Sequence, residues 1–517
     1  MRRHDEWQRP LLGNPGPGAR MNGIPIFDGI RSELRSRWPE WTAVSLFAAV
    51  VAFAIPYHEP WADEAQAWQL ARSLSLGELF QTYIRHEATP GLWYFFLRVL
   101  NCAHVSYTGM HWICGVIAVV STSLLVFLSP LPRYLKLTFP FTFFLLFQYS
   151  VIARSYVLVP VLLFGIAYWW RKSPLTVSTG LGLLANCALH AAVISGGLAI
   201  VWLIEQLRTG RAGGALRRGK LPLCVLIVLG FYAFALWTAW PPSDLASDIS
   251  YVRALRPSFI DSVLVAALSP VCQPAILSIV FWIVFLPVFW YRKSLLYLLP
   301  VLFLEIFCGA AYCSFWHWGL VVPLIISLLW MTWPVPGSSV PSAELVGRAA
   351  LTWMIGTQIL WSGYAIVFDH FNAYSPNLAA AQFLMPRVKA GATIAITYLD
   401  DSPSPYVSNN MFSATGILPY FDRSIYINQP DPFYLWSDKN SSDALFNAIL
   451  PSHPSIVVAE TLQVGSKPPT DLAGKRAELL MKSGYRLTNV FCGSVPFQTR
   501  LVLTNCHVIY QYAGDAP

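Results

Sequence analysis

The sequence predicts an α-helical polytopic membrane protein that ends in a small C-terminal α/β soluble domain. Charged residues are only 12% of the 517 and apolar residues 55%, whereas soluble chains carry about a quarter charged. Roughly eleven apolar runs, centred near 49, 119, 144, 163, 182, 198, 230, 282, 303, 325 and 358, approach the about 20 residues a hydrocarbon core requires. Beyond about residue 370 the composition turns polar and mixed.

The elements follow in order. Residues 1–40 hold Pro10, Pro15 and Pro17 among polar residues and read as a disordered cytoplasmic N-terminus. Ala52-Phe53-Ala54 resembles a cleavage site, but the long polar stretch before Trp41 exceeds a signal peptide's n-region, so the run is read as an uncleaved first span. Residues 41–369 form the transmembrane part. Lys and Arg set its orientation. With the N-terminus cytoplasmic, nineteen fall in cytoplasmic segments, including Arg133, Lys136, Arg171, Lys172, Arg292 and Arg348. Six fall outside: Arg72, Arg85, Arg98, Arg154, Arg253 and Arg256. The formal net charge of +8 is thereby explained without nucleic acid. This solution needs Pro90–Asn101, too short to cross as a helix, to lie in the interface. Residues 57–108 then form one large external loop.

In 370–517, helical patterns at Pro376–Arg387, Ser442–Leu450 and Leu472–Ser483 alternate with strand-like runs at Ala392–Tyr398, Ser455–Ala459, Arg486–Phe491 and Arg500–Tyr510. The odd number of spans places this domain outside. Seven of nine cysteines lie in the apolar part without CxxC spacing, which argues against a metal cluster. Cys492 and Cys506 flank a turn in the C-terminal part and could pair in an oxidising compartment if their geometry permits a bond, paired and unpaired both staying open.

The densest chemistry is Tyr57-His58-Glu59-Pro60-Trp61-Ala62-Asp63-Glu64, where the first span leaves the membrane. Trp61, Ala65, Trp68, Ala71 and Arg72 recur at helical steps, predicting an interfacial amphipathic helix over Trp61–Phe80 that holds Asp63 and Glu64 at a fixed depth. An Asp-Glu pair at a helix start also complements the helix dipole, and capping and catalysis both stay open.

The acidic pair on an external juxtamembrane helix, followed by His86-Glu87-Ala88-Thr89-Pro90-Gly91-Leu92-Trp93-Tyr94, resembles the GT-C glycosyltransferases. These include protein O-mannosyltransferases, bacterial aminoarabinose transferases and bacterial mannosyltransferase-like members. Tyr149–Tyr156 and His317-Trp318-Gly319 fit the same pattern. The resemblance implies an integral enzyme of a bacterial inner membrane. It would move a sugar from a polyprenyl-phosphate donor to a lipid, glycan or protein acceptor on the non-cytoplasmic face, with inversion. Asp63 matches the family's base and Glu64 its neighbour. Such transfer needs a base for the acceptor hydroxyl and cationic groups, or a divalent cation, for the leaving phosphate. The second acidic residue common in the family's second external loop is replaced by Arg154-Ser155-Tyr156.

Arg154 is read as a phosphate ligand, against an interfacial arginine snorkelling to headgroups. Tyr156, Glu87, His190, His317, Arg253 and Arg256 complete the substrate-binding candidates, each with a structural alternative. His58, Glu87, Asp63 and Glu64 are the one cluster suited to a metal. The 241–274 loop could close over the donor, and Glu305, inside a span, is paired, protonated or functional. Tyr420, Phe421, Phe433, Tyr434 and Trp436 stack on sugars, dock on the membrane part or fill a core, and Asn440-Ser441-Ser442 is a sequon. Two rival classes are a transporter or lipid flippase, which would show internal symmetry, and a membrane-anchored scaffold or sensor.

Overall fold

The computed structural model describes residues 37–208, 220–245, 258–311, 313–333, 342–399, 413–436, 449, 451–464 and 475–515. The N-terminal segment 1–36, Arg253, Arg256, the sequon and most of Ser442–Leu450 lie outside the described residues.

The chain is largely helical. Helices α1 (Trp38–Ala54), α2 (Ala62–Ser73), α3 (Leu92–Cys102), α4 (Tyr107–Leu128), α5 (Leu158–Trp169), α6 (Pro174–Ala185), α7 (Leu189–Arg208), α8 (Lys220–Ala239), α9 (Phe259–Leu268), α10 (Ala275–Tyr291), α11 (Leu299–Ala310), α12 (Val321–Thr332) and α13 (Ser342–Phe371) precede the sheet. Among the described residues, five helical segments are long and apolar enough to cross a membrane, and seven shorter apolar ones accompany them. Their outer faces carry large apolar side chains, among them Leu226 and Ile283 at 65% and Leu360 at 73% exposure. Such a surface suits hydrocarbon rather than water.

Two expectations are corrected. The apolar run near 144 is not one helix but a broken path: Arg133–Thr138, a 3-10 turn at Phe139–Phe141 and a π turn at Phe144–Gln148. Pro140 removes a backbone donor within it. Its phenylalanines point into the core, where Phe139, Phe143, Phe144 and Phe147 are fully buried. The helix expected over Trp61–Phe80 stops at Ser73, because Ser75 starts a new turn: its hydroxyl accepts from Glu78 N (3.3 Å) and the Glu78 carboxylate accepts from Ser75 N (2.9 Å). Nor does α2 lie open in an interface, since Ala62 and Glu64–Ala71 are all buried.

After α13 come α14 (Asn377–Lys389), β1 (Ile394–Tyr398), β2 (Ile456–Val464), α15 (Lys475–Lys482), β3 (Tyr485–Phe497) and β4 (Arg500–Tyr512). The sheet order is β1-β2-β4-β3, with β1 and β2 parallel and the other pairs antiparallel. The parallel pair needs a crossover, whereas β3 and β4 form a hairpin. Cys492 and Cys506 face each other in that hairpin and are disulfide-bonded. Gln498, at the hairpin tip with φ 60°, donates from Nε2 to Ser269 O (2.7 Å). Beside it Phe497 packs on Phe315 (4.7 Å) and Phe143 (5.8 Å), so the tip is plugged into the helical part.

The docking continues over the first loop. Ser375 Oγ (2.8 Å) and Asn377 Nδ2 (3.0 Å) both donate to Pro60 O, while His507 Nε2 donates to Asn377 Oδ1 (2.9 Å). Phe433 packs on Tyr83 and Tyr420 on Tyr107. These aromatics therefore hold the sheet domain on the bundle.

Candidate active site

Pro60 ends the stretch leaving α1, and Trp61 enters α2 with an extended backbone (φ −102°, ψ −178°). Asp63 and Glu64 follow in the first turn with opposite surroundings. The Glu64 side chain is wholly buried and accepts four hydrogen bonds: from Trp61 N (3.1 Å), Ala153 N (2.6 Å), His111 Nε2 (3.0 Å) and His58 Nε2 (3.3 Å). Burial alone would raise its pKa, but His58 and His111 outweigh burial and hold the carboxyl far below its usual range. Glu64 is thus an anionic tie point with no lone pair left for chemistry. His58 also donates from Nδ1 to Asp369 Oδ2 (3.1 Å), at the end of α13. Burial pushes the imidazole toward neutrality, but Asp369 and Glu64 override it and raise its pKa to about 10. One imidazolium bridging two acids therefore joins the first loop to the last helix of the bundle.

Asp63 is partly open. Its Oδ2 lies 2.7 Å from Arg154 Nη1, with 22% of the Asp63 and 19% of the Arg154 side chain exposed. Burial raises the Asp63 pKa, Arg154 opposes the rise and Glu64 adds to it. Adjacent residues thus make adjacent contacts: Glu64 fixes Ala153 through its N–H while Asp63 pairs with Arg154. The guanidinium sits among the rings of Trp316 (5.1 Å), Tyr156 (5.3 Å) and Trp61 (5.6 Å), a setting that strengthens its hold on an anion by excluding water. Tyr149 donates from its hydroxyl to Trp316 O (2.7 Å), bracing the residue whose ring lies nearest the guanidinium.

Glu87 accepts from Gln66 Nε2 (2.7 Å) and from the Trp436 indole. Burial raises its carboxyl to about 7; the Gln66 bond opposes that, and nearby Asp63 adds to it. Gln66 also exchanges two bonds with the Tyr434 backbone, Nε2 to O (2.6 Å) and N to Oε1 (2.9 Å). The sheet domain therefore supplies one wall of the site. On the other side Tyr156 packs on His317 (5.7 Å), which is stacked on His190 (3.9 Å, 14°).

Asp63, Arg154, Tyr156, Glu87 and His317 thus gather around one point, with His190 stacked behind His317, and Glu64 supports it from beneath. Arg253 and Arg256 lie outside the described residues. The nearby loop residue Asp244 accepts from His86 Nε2 (3.1 Å). Of the four residues suited to a metal, His58 and Glu64 bind each other, Asp63 binds Arg154 and Glu87 binds Gln66. Sequence reasoning missed His111, Asp369, Gln66 as a bridge and Trp316. His111 within an apolar helix and Asp369 at the end of another were visible as ionisable residues in candidate spans.

Fold and site together describe a helical protein with segments long and apolar enough to cross a membrane, in which a half-buried acid–arginine pair lies beneath a docked sheet domain. No protein-family model matches the chain, and no curated protein matches it. Among solved structures it is similar to ArnT from Cupriavidus metallidurans bound to undecaprenyl phosphate, over 90% of this chain and 97% of that one, with 10% identity and a TM-score of 0.48.

Proposed function

We propose that the chain is an integral membrane glycosyltransferase, acting on the non-cytoplasmic face of a bacterial inner membrane with a polyprenyl-phosphate-linked sugar as donor. The observation that carries this reading is the Asp63–Arg154 pair at 2.7 Å inside three aromatic rings. Arg154 suits the donor phosphate by charge and by its paired donors. When phosphate takes the guanidinium, Asp63 loses its partner and becomes a stronger base.

The acceptor hydroxyl then gives its proton to Asp63 as its oxygen bonds to the anomeric carbon from the face opposite the phosphate. The carbon–phosphate-oxygen bond breaks, polyprenyl phosphate leaves with the electron pair, and the anomeric configuration inverts. Arg154 neutralises the charge that grows on the leaving group. Tyr156, His317 and His190 line the sugar side, and Glu87, with Trp436, faces sugar hydroxyls. Glu64 acts as a positioning residue through Ala153. A hexose, with mannose the first to try, fits the motif resemblance, and the acceptor is a lipid, glycan or protein hydroxyl.

The test is transfer from polyprenyl-phosphate sugars by the purified chain in lipid, alongside envelope glycan and lipid profiles of cells with and without it. Asp63→Asn is expected to lower transfer by about 10²–10⁴-fold with its melting profile kept. An Asp63→Asn protein as active as the parent would remove the reading.

A further inference from the structure

A second constellation lies on the far side of the His190–His317 stack. Cys308, in the last turn of α11, and Cys313, just beyond it, come together with His190, at the start of α7. One ligand atom from each of the three lies within 4.8 Å of the others. His190 and Cys308 are buried and Cys313 is partly so. The two sulfurs are joined as a disulfide. A disulfide makes little use of an imidazole at that range, because its sulfurs accept hydrogen bonds weakly. Two thiolates and an imidazole are instead a donor set for a borderline-soft cation such as zinc.

Two further features suit a cation there. The His190 ring stacks on His317 and makes an edge contact with Phe307 (5.0 Å), packing that restricts its rotation. Glu305, one helical turn inward from Cys308 on the same face, is 8% exposed, and its Oε2 has no hydrogen-bond partner among the described residues.

We propose that Cys308, Cys313 and His190 form a zinc site when the cysteines are reduced, with the disulfide as the alternative state of the same three residues. A dithiol reductant supplies two electrons and two protons to the sulfurs and becomes a disulfide itself. Zinc then replaces the two thiol protons, and His190 binds through a ring nitrogen. The disulfide ties the end of α11 to the turn that carries Trp316 and His317, and the zinc-bound state ties α7 to it as well through His190, so the site sets the ring under Arg154. The inference does not depend on glycosyl transfer.

Cobalt(II), which shows thiolate charge-transfer and tetrahedral d–d absorption, tests it on the full chain in detergent with Cys492→Ser and Cys506→Ser present. The reduced protein should take up about one cobalt per chain with both signatures, zinc should displace it, and the oxidised protein should take up none. Cys308→Ser together with Cys313→Ser should abolish the bands. His190→Gln, which leaves both thiols in place, should weaken binding at least about 10-fold, since loss of even an outer-shell partner of a metal ligand costs that much. Absence of thiolate bands in the reduced parent, or bands that survive the double serine variant, overturns the site.

Discussion

Adjacent acids in one helical turn carry different duties, and substitution separates them. Replacing Glu64 by Gln leaves the His58 imidazolium buried beside a neutral amide. Breaking a buried pair in this way costs about 3–5 kcal/mol, so Glu64→Gln should melt well below the parent in detergent, while Asp63→Asn should not. The pH dependence of melting follows from the same group. His58 has its pKa raised to about 10, so its stabilisation is fully present below the ordinary imidazole value near 6.5 and fades as pH rises through about 10. Glu64 is shifted the opposite way, so its share is present above the ordinary carboxylate range and fades in acid. Melting temperature should therefore fall steadily from neutral pH to pH 10, and in Asp369→Asn, which lowers the His58 pKa, the fall should come at lower pH. A flat profile in the parent contradicts the imidazolium bridge. Activity reads the other acid. Arg154 holds the Asp63 pKa down against burial, and a base works only when deprotonated. Arg154→Gln should thus move the acid limb of kcat/KM to higher pH, beyond lowering its height, and an unmoved limb would mean that Asp63 is not the titrating base.

At the scale of elements, much was legible in the sequence and the misses have specific causes. Ten of the eleven expected span centres fall within helices, because apolar length is a local property that hydropathy reads directly. The centre at 144 failed since an apolar run says nothing of whether lipid or protein surrounds it, and Pro140 sits where the path breaks. The strands of the sheet domain were visible from their alternation, but their order was not, as pairing depends on crossover geometry between distant segments. Asp63, Glu87, Arg154 and His317 were legible as polar groups at the rim of apolar runs. The Glu64 cluster was not, because its donors come from 58, 61, 111 and 153, and Asp369 reaches it only through folding. The contact between β3 and α14's entry is equally nonlocal: a Cβ on Gly493 would run into the Ser375 backbone, and Ser375 is the residue that donates to Pro60 O. Gly493→Ala should therefore destabilise the docked domain by about 1–3 kcal/mol, the usual cost of overpacking. Faster proteolysis of the C-terminal part in Gly493→Ala, with membrane extraction unchanged, is the measurement; equal cleavage rates would deny the close approach.

On the scale of the whole molecule, the first loop is pinned between the bundle and the sheet domain, so the loop, the sheet domain and Asp63 lie together at one end of the bundle. The Pro60 carbonyl receives Ser375 and Asn377, Gln66 clasps Tyr434, and Arg72 Nη2 donates to Phe421 O (2.9 Å). We propose from the distribution of basic residues that this end faces away from the cytoplasm, because Arg133, Arg171, Lys172 and Arg292 crowd the opposite turns. A membrane-impermeant thiol reagent decides the matter in a Cys102→Ser background, since Cys102 is exposed and the other free cysteines are buried. A cysteine at Glu78, exposed in the first loop, should react in intact spheroplasts. One at Lys172, exposed in a basic turn, should react only after permeabilisation. The reverse pattern would put Asp63 and Arg154 on the cytoplasmic side, where a lipid-linked donor presented to the exterior cannot reach them.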